Sequence, residues 1–545
     1  MTVTAQPPAT AGGPAGKGLK TGALGLLSSV VIGVSSTAPA YSLAATIGAV
    51  VAIVVFQTPI VMVMAFVPML FIAYSYRELN RVAPDCGTTF TWATKAFGPM
   101  TGWMGGWGIV AADVIVMASL AQIAGSYVFQ LIGAQGLAAE KWPVFLVGAG
   151  WIVLLTYICY RGIEISAKFQ FVMLAIEVVF LVFFSIIALV KVYTGHAAAT
   201  AVKPSLSWLN PFAINGWSAF SSSLLLAVFI YWGWDSAVSV NEETKDPETT
   251  PGRAAVISTV ILLATYAIVS VAALSFSGPK VLQDNSSDVF AAIGTQVLGS
   301  SLDKILIIAV LTSAAASTQT TILPTARTTL SMAAYQALPA SFAKMHPRYL
   351  TPTVSTIAMG AVSIGFYGLL AAISDNILAD SASAVGLLIA FYYGLTGFAS
   401  AWYFRNDRGA TARDTWARII APLLGGLILL GAFLWTAYQN ANADNSYTVI
   451  SVLGWHTGGI FVLSVGSLLL GVVLMLVSKW RSPAYFTGEV LNRDTPIRVV
   501  EGETLEILAP TLPDAASIEQ TVIPPLSVEE LRQAEAQARE ERHED

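Results

Sequence analysis

The sequence predicts an all-α polytopic membrane protein with 12 transmembrane helices, and three observations carry that prediction. Of 545 residues, 55% are hydrophobic and only 11% charged, where a soluble domain carries about a quarter charged. Apolar runs long enough to cross a bilayer, about 18 residues or more, recur twelve times. Lysines and arginines then alternate between the loops, 14 on one side against 5 on the other.

In chain order the runs fall at 22–49, 51–74, 100–132, 143–160, 169–193, 216–240, 254–277, 304–336, 353–373, 382–404, 416–438 and 454–478. The long third and eighth runs must tilt or extend beyond the bilayer. Loops after the even-numbered spans up to the tenth hold the basic set: Arg77, Arg81, Lys95, Arg161, Lys168, Lys245, Arg253, Arg327, Lys344, Arg348, Arg405, Arg408, Arg413 and Arg418. The opposite loops hold Lys141, Lys191, Lys203, Lys280 and Lys304. By the positive-inside rule both termini are cytoplasmic. No secretory signal pattern precedes the first span, since residues 1–20 are small and polar with Lys17 and Lys20 just ahead of the apolar run.

From Pro483 onward 14 acids face 5 arginines, a net of −9; with −5 for the whole chain, the remainder is +4. Residues 481–545 therefore read as an acidic cytoplasmic tail, mostly disordered. The two cysteines, Cys86 and Cys159, lie in no metal-ligand spacing and read as free, small apolar residues.

Two spans carry helix breakers. In span 1, Ile32-Gly33-Val34-Ser35-Ser36-Thr37-Ala38-Pro39 combines a proline that cannot continue the helix ladder with hydroxyls offering alternative backbone partners. The helix is expected to open between Gly33 and Ala38 and to restart at Pro39, which suits a first helical turn. In span 6, Phe229-Ile230-Tyr231-Trp232-Gly233-Trp234-Asp235 puts a glycine and a carboxylate at bilayer depth. Irregular backbone is tolerated there only where it lines a cavity, as in many secondary transporters. Breaks in spans 1 and 6 fit two inverted five-helix repeats, residues 21–215 and 216–405, each beginning with its broken helix. Residues 1–20 form an N-terminal segment and 406–480 two additional helices. The N–H groups after the first break would suit a carboxylate, and the carbonyl end opposite an ammonium; an amino acid carries both.

The chain resembles the amino acid–polyamine–organocation superfamily, bacterial amino acid permeases above all. The similarity rests on Val82-Ala83-Pro84-Asp85-Cys86-Gly87-Thr88-Thr89-Phe90 with Phe97-Gly98-Pro99 and Gly102-Trp103. It continues in Gly233-Trp234-Asp235 with Glu242-Glu243-Thr244-Lys245-Asp246-Pro247, and in Pro324, Arg327, Leu338-Pro339 and His346-Pro347-Arg348. It spans about residues 20–480. Span 1 departs from the family's usual Ile-Gly-small-Gly-Ile. The resemblance implies a five-plus-five inverted repeat plus two additional helices and alternating access. It also implies a substrate site at Gly33, Val34, Ser35, Ser36 and Thr37, for a carboxylate, and at Phe229, Ile230, Trp232, Gly233 and Trp234, for an ammonium and a side chain.

Three acids lie at membrane depth without a lysine or arginine beside them: Asp113, Glu177 and Asp235. Each reads either as a proton carrier or as a structural hydrogen-bonding group. Span 8 hydroxyls Ser313, Ser317 and Thr318 offer a second option, a sodium site, or else a close helix seam. The stretch Phe391-Tyr392-Tyr393-Gly394 offers a lid or a packing seam.

The expected function is a secondary active transporter for an amino acid, by proton-coupled uptake across the cell membrane, with no cofactor beyond a proton or Na⁺. A polyamine or amine importer, or an exchanger, is the alternative within the fold; a channel or sensor is the alternative outside it. A channel would need rings of like residues around a pore. An enzyme is disfavoured because the four histidines lie outside the spans' interiors. The expected partners are the small-molecule substrate and the lipid bilayer, with no nucleic acid; oligomeric state leaves no mark on the sequence.

Overall fold

The computed structural model describes residues 16–286, 289–299, 303–374, 377–407, 411–452 and 455–497. The chain divides into two units, residues 1–505 and 506–545, and every described residue belongs to the first. The tail beyond residue 497 lies outside the described residues.

The first apolar run forms α1 (Leu26–Ser36) and α2 (Pro39–Val54), and the second α3 (Thr58–Val82). A short α4 (Thr89–Phe97) leads into the 33-residue α5 (Pro99–Leu131). Proline at the first turn of α5 costs no hydrogen bond, and Gly98, at φ 97°, makes the corner ahead of it. Then come α6 (Gln135–Ala138), α7 (Lys141–Tyr160) and α8 (Ile163–Thr194).

The sixth run is split into α9 (Gly216–Ile230) and α10 (Ser236–Ser239), followed by α11 (Thr250–Asp284), α12 (Val289–Leu298), α13 (Asp303–Ala334), α14 (Thr353–Ile373) and α15 (Ile377–Tyr403). The last part holds α16 (Ala412–Thr415) and α17 (Ala421–Ala441), an antiparallel hairpin of β1 (Val449–Val452) and β2 (Trp455–Gly458), α18 (Gly459–Phe461), α19 (Ser467–Arg481) and α20 (Pro483–Phe486).

Among the described residues ten helical stretches are long and apolar enough to cross a membrane; one, Leu26–Val82, holds the first two runs, and Gly216–Ile230 is a further, shorter apolar helix. Large apolar side chains such as Leu146, Phe171, Val179, Phe183 and Leu469 are exposed on the outside of the bundle. Such a surface is stable in lipid rather than water. The chain is a multi-pass membrane protein.

α3 packs along α11, α5 along α13, and α15 along α17. The broken helices sit inside this frame, α1 against α8, α11 and α13, and α10 against α1, α11 and α13.

Two differences from the sequence reading stand out. Arg327, counted with the loop charges although the eighth run reaches residue 336, lies inside α13 and is fully buried. Residues 483–497, expected in the disordered tail, are folded onto α4: Tyr485 is buried, stacks on Phe90 and shares a 2.8 Å hydrogen bond with Thr94. The tyrosine is what an acid count overlooks.

A candidate substrate site between two broken helices

The first break is narrower than predicted. Gly33, Val34, Ser35 and Ser36 stay helical, and only Thr37 and Ala38 separate α1 from α2. Thr37 closes the last turn, its N–H and its hydroxyl both donating to the Val34 carbonyl (3.2 and 2.7 Å). Ala38 is left-handed (φ 45°, ψ 62°), and the ring of Pro39 keeps the residue before it out of the right-handed helix. Gly33 serves packing instead of opening: a Cβ there would stand 2.6 Å from Ser258 Oγ.

The second break covers residues 231–235, with Gly233 at φ +118°, a conformation that favours glycine. The two breaks meet. A Cβ on Gly233 would stand 2.8 Å from both C and O of Ser36. Ser36 Oγ and Ser236 Oγ are 2.8 Å apart. From α13, Ser317 Oγ donates to the Ser36 carbonyl at 2.9 Å, and the Thr320 carbonyl accepts from Ser236 Oγ at 3.2 Å.

The backbone groups freed by the first break are engaged by the protein itself. Thr37 N–H and Ala38 N–H bond back to Val34 and Ser35 carbonyls, and Pro39 has no N–H. Ala40 N–H donates to Glu177 Oε1 at 2.6 Å and Tyr41 N–H to Ser313 Oγ at 3.2 Å. Glu177 thus places a carboxylate at the start of α2, where the helix dipole favours negative charge. Ser313 Oγ also donates to Glu177 Oε1, at 2.7 Å. Glu177 Oε2 is buried without a hydrogen-bond partner among the described residues. At the carbonyl end of α9, Tyr266 Oη donates to the Ile230 carbonyl at 2.6 Å.

Asp235 stands at the start of α10 and accepts from Tyr393 Oη at 2.8 Å and Tyr392 Oη at 3.2 Å, while Trp232 Nε1 donates to Tyr392 Oη. Trp234 is fully buried, its ring 5.1 Å from both Tyr76 and Tyr393. Phe229 is half-buried and Ile230 buried. Asp113 is held by the Thr325 hydroxyl on α13. Thr318 bonds back to the Ala314 carbonyl of its own helix.

Glu177, Asp235, Ser313 and Ser317 are therefore brought to the two breaks, while Asp113 ties α5 to α13 and Thr318 turns inward on α13. Tyr266 was missed by sequence reasoning, although a lone tyrosine in an apolar run was its signal. Outside the breaks, Asp85, Cys86 and Glu242 bring metal-ligating atoms within 4.8 Å of one another. Lys17 Nζ already stands there, 2.7 Å from Asp85 Oδ2, 2.6 Å from Glu242 Oε1 and 3.8 Å from Cys86 Sγ.

Two adjoining helix breaks deep in a helical bundle, lined by carboxylates and tyrosines, define a membrane permease architecture. The amino acid permease family matches residues 24–465, and the chain belongs to it. An uncharacterized transporter of Mycobacterium tuberculosis is 29% identical over 409 residues, covering 74% of this chain and 83% of that protein. The low-affinity putrescine importer PlaP of Escherichia coli is 24% identical over 415 residues, covering 75% and 85%. The branched-chain amino acid permease BcaP of Lactococcus lactis is 24% identical over 375 residues, covering 66% and 77%. These relatives are permeases and transporters, not enzymes.

Proposed function

We propose that the chain is a secondary active transporter that takes up a small ammonium-bearing solute, an amino acid or an amine, by alternating access. Twelve spans in a five-plus-five inverted repeat, with two further helices and both termini cytoplasmic, are the frame of this reading. The observation that carries it is the contact of the two breaks at Ser36 and Gly233, with Glu177 and Asp235 beside them.

The amine reading has a specific support of its own. Each N–H at the first break already has an acceptor, and Glu177 fills the start of α2. A substrate carboxylate would have to displace one of these, whereas an ammonium would meet acids. The relative that imports putrescine fits this reading, and the branched-chain permease fits the amino acid reading.

Glu177 is the proposed proton carrier. A proton is the proposed coupling ion because Glu177 stands at the first break with Oε2 buried and without a hydrogen-bond partner among the described residues.

The test is a thermal-shift screen of purified protein against the proteinogenic amino acids, GABA, putrescine and spermidine, with and without sodium, at two pH values. A bound solute raises the melting temperature with its concentration. Stabilisation by a solute of this class, lost in Gly233→Leu, is the expected result. Absence of any hit, with no uptake into liposomes, would return the channel or sensor reading.

A further inference from the structure

Lys17 lies ahead of the first span, in a segment whose composition gives no reason for burial, yet its side chain is 5% exposed. Its ammonium is bracketed by Asp85 and Glu242 at 2.7 and 2.6 Å and stands 5.4 Å from the centre of the Tyr335 ring. The three elements so joined are the segment before α1, the α3–α4 loop and the exit of the second broken helix, with Tyr335 just past the end of α13.

The seat is built independently of its occupant. Asp85 Oδ1 accepts from Gly87 N–H, Thr91 Oγ1 and Ser331 Oγ at 2.7–2.8 Å, and Oδ2 from Tyr335 Oη at 2.8 Å. Glu242 Oε1 accepts from Cys86 N–H at 2.9 Å. Burial alone would lower the Lys17 pKa, but the carboxylates of Asp85 and Glu242 outweigh it and hold the group well above the usual lysine range. Beside it Arg327 forks onto both oxygens of Glu243 at 2.9 and 3.0 Å. Among these five groups three carboxylates face two cations, so removing Lys17 would leave the seat doubly uncompensated.

The segment is also stitched by backbone and by packing. Leu24 N–H donates to the Glu243 carbonyl and Lys245 N–H to the Leu24 carbonyl, at 3.0 and 2.9 Å. Leu19 is buried with Cys86 and Leu330.

We propose that the segment 17–24 is a bolt across this face of the protein, and that the Asp85–Glu242–Tyr335 seat is a primary-ammonium site whose tethered occupant is Lys17. Opening of the central site towards this face requires Lys17 to leave the seat. This rests on the alternating-access reading, because α10 and the exit that Glu242 and Glu243 occupy would have to move.

Cys86 is a built-in reporter, fully buried beneath Lys17 and Leu19. In a Cys159→Ser background its labelling by a water-soluble maleimide is followed in purified protein, with the melting temperature measured alongside. Lys17→Met, which keeps the stem and loses the charge, is expected to speed labelling about tenfold, as a local opening made easier would. Glu242→Gln is expected to speed it less, and it stands in if Lys17→Met does not fold. Ethylammonium added to Lys17→Ala is expected to slow labelling again by refilling the seat.

Labelling of a folded Lys17→Met and Glu242→Gln at the parent rate overturns the bolt. Faster labelling that ethylammonium does not slow overturns the ammonium site. Variants that show the labelling change while the parent transports nothing count against the transport reading and leave the bolt standing.

Discussion

The backbone of Gly233 lies directly on that of Ser36, so the two broken helices touch with no side chain between them: a Cβ at 233 would stand 2.8 Å from the Ser36 carbonyl carbon. Gly233 also sits at φ +118°, where any other residue is strained by about 1–3 kcal/mol. Gly233→Ala meets both obstacles at once. It is expected to lower the melting temperature and to abolish uptake, whereas Gly365→Ala, in open space on α14, changes neither. Equal behaviour of the two variants would show that the contact has no special role.

Glu177 separates charge from hydrogen bonding. Glu177→Gln still offers an acceptor to Ala40 N–H and Ser313 Oγ, so the fold should survive with little change. Glu177→Leu leaves the buried Ala40 N–H without an acceptor, a loss of about 1–3 kcal/mol. If the charge serves solute or proton, Glu177→Gln folds but loses the dependence of uptake on a pH gradient. A Gln variant that retains gradient-driven uptake would rule Glu177 out as the proton carrier.

The Arg327–Glu243 pair is buried completely on both sides. Removing one partner of such a pair costs about 3–5 kcal/mol, while replacing both by apolar residues is often neutral. Arg327→Met alone should therefore express poorly or melt well below the parent, and Arg327→Met with Glu243→Leu should recover most of the difference. A double variant no better than the single would mean that other partners of Arg327 carry the effect.

How far the sequence led differs between fold and site. Hydropathy located the long apolar helices, because lipid imposes that pattern on any helix that crosses it. The breaks at Pro39 and Gly233 were legible because proline and glycine act through local backbone geometry. Gly33 misled, since a glycine that admits Ser258 reads in sequence like one that opens a helix. Lys17, Asp85 and Glu242 could not be joined beforehand: they lie 68 and 225 residues from one another along the chain as counted from Lys17, and only the fold brings the α3–α4 loop, the turn after α10 and the end of α13 together. Arg327 looked like a loop residue because its counter-ion, Glu243, belongs to a different span exit.

Lys95 gives a pH dependence whose sign can be worked out. Its ammonium donates to the Thr495 and Asn492 carbonyls at 2.6 and 3.3 Å, pinning the segment after α20 to α4. Burial pushes its pKa down to about 8, against about 10.4 in an unfolded chain. Below pH 8 both states hold the proton and the burial penalty is fully present. Between about pH 8 and 10.4 the unfolded chain holds more protons than the folded one, so stability rises with pH across that window. The melting temperature of the parent should therefore gain on that of Lys95→Met as pH goes from 8 to 10, and the gap should stay constant from pH 6 to 7. Parallel curves throughout would mean that Lys95 keeps its ordinary pKa in the folded protein.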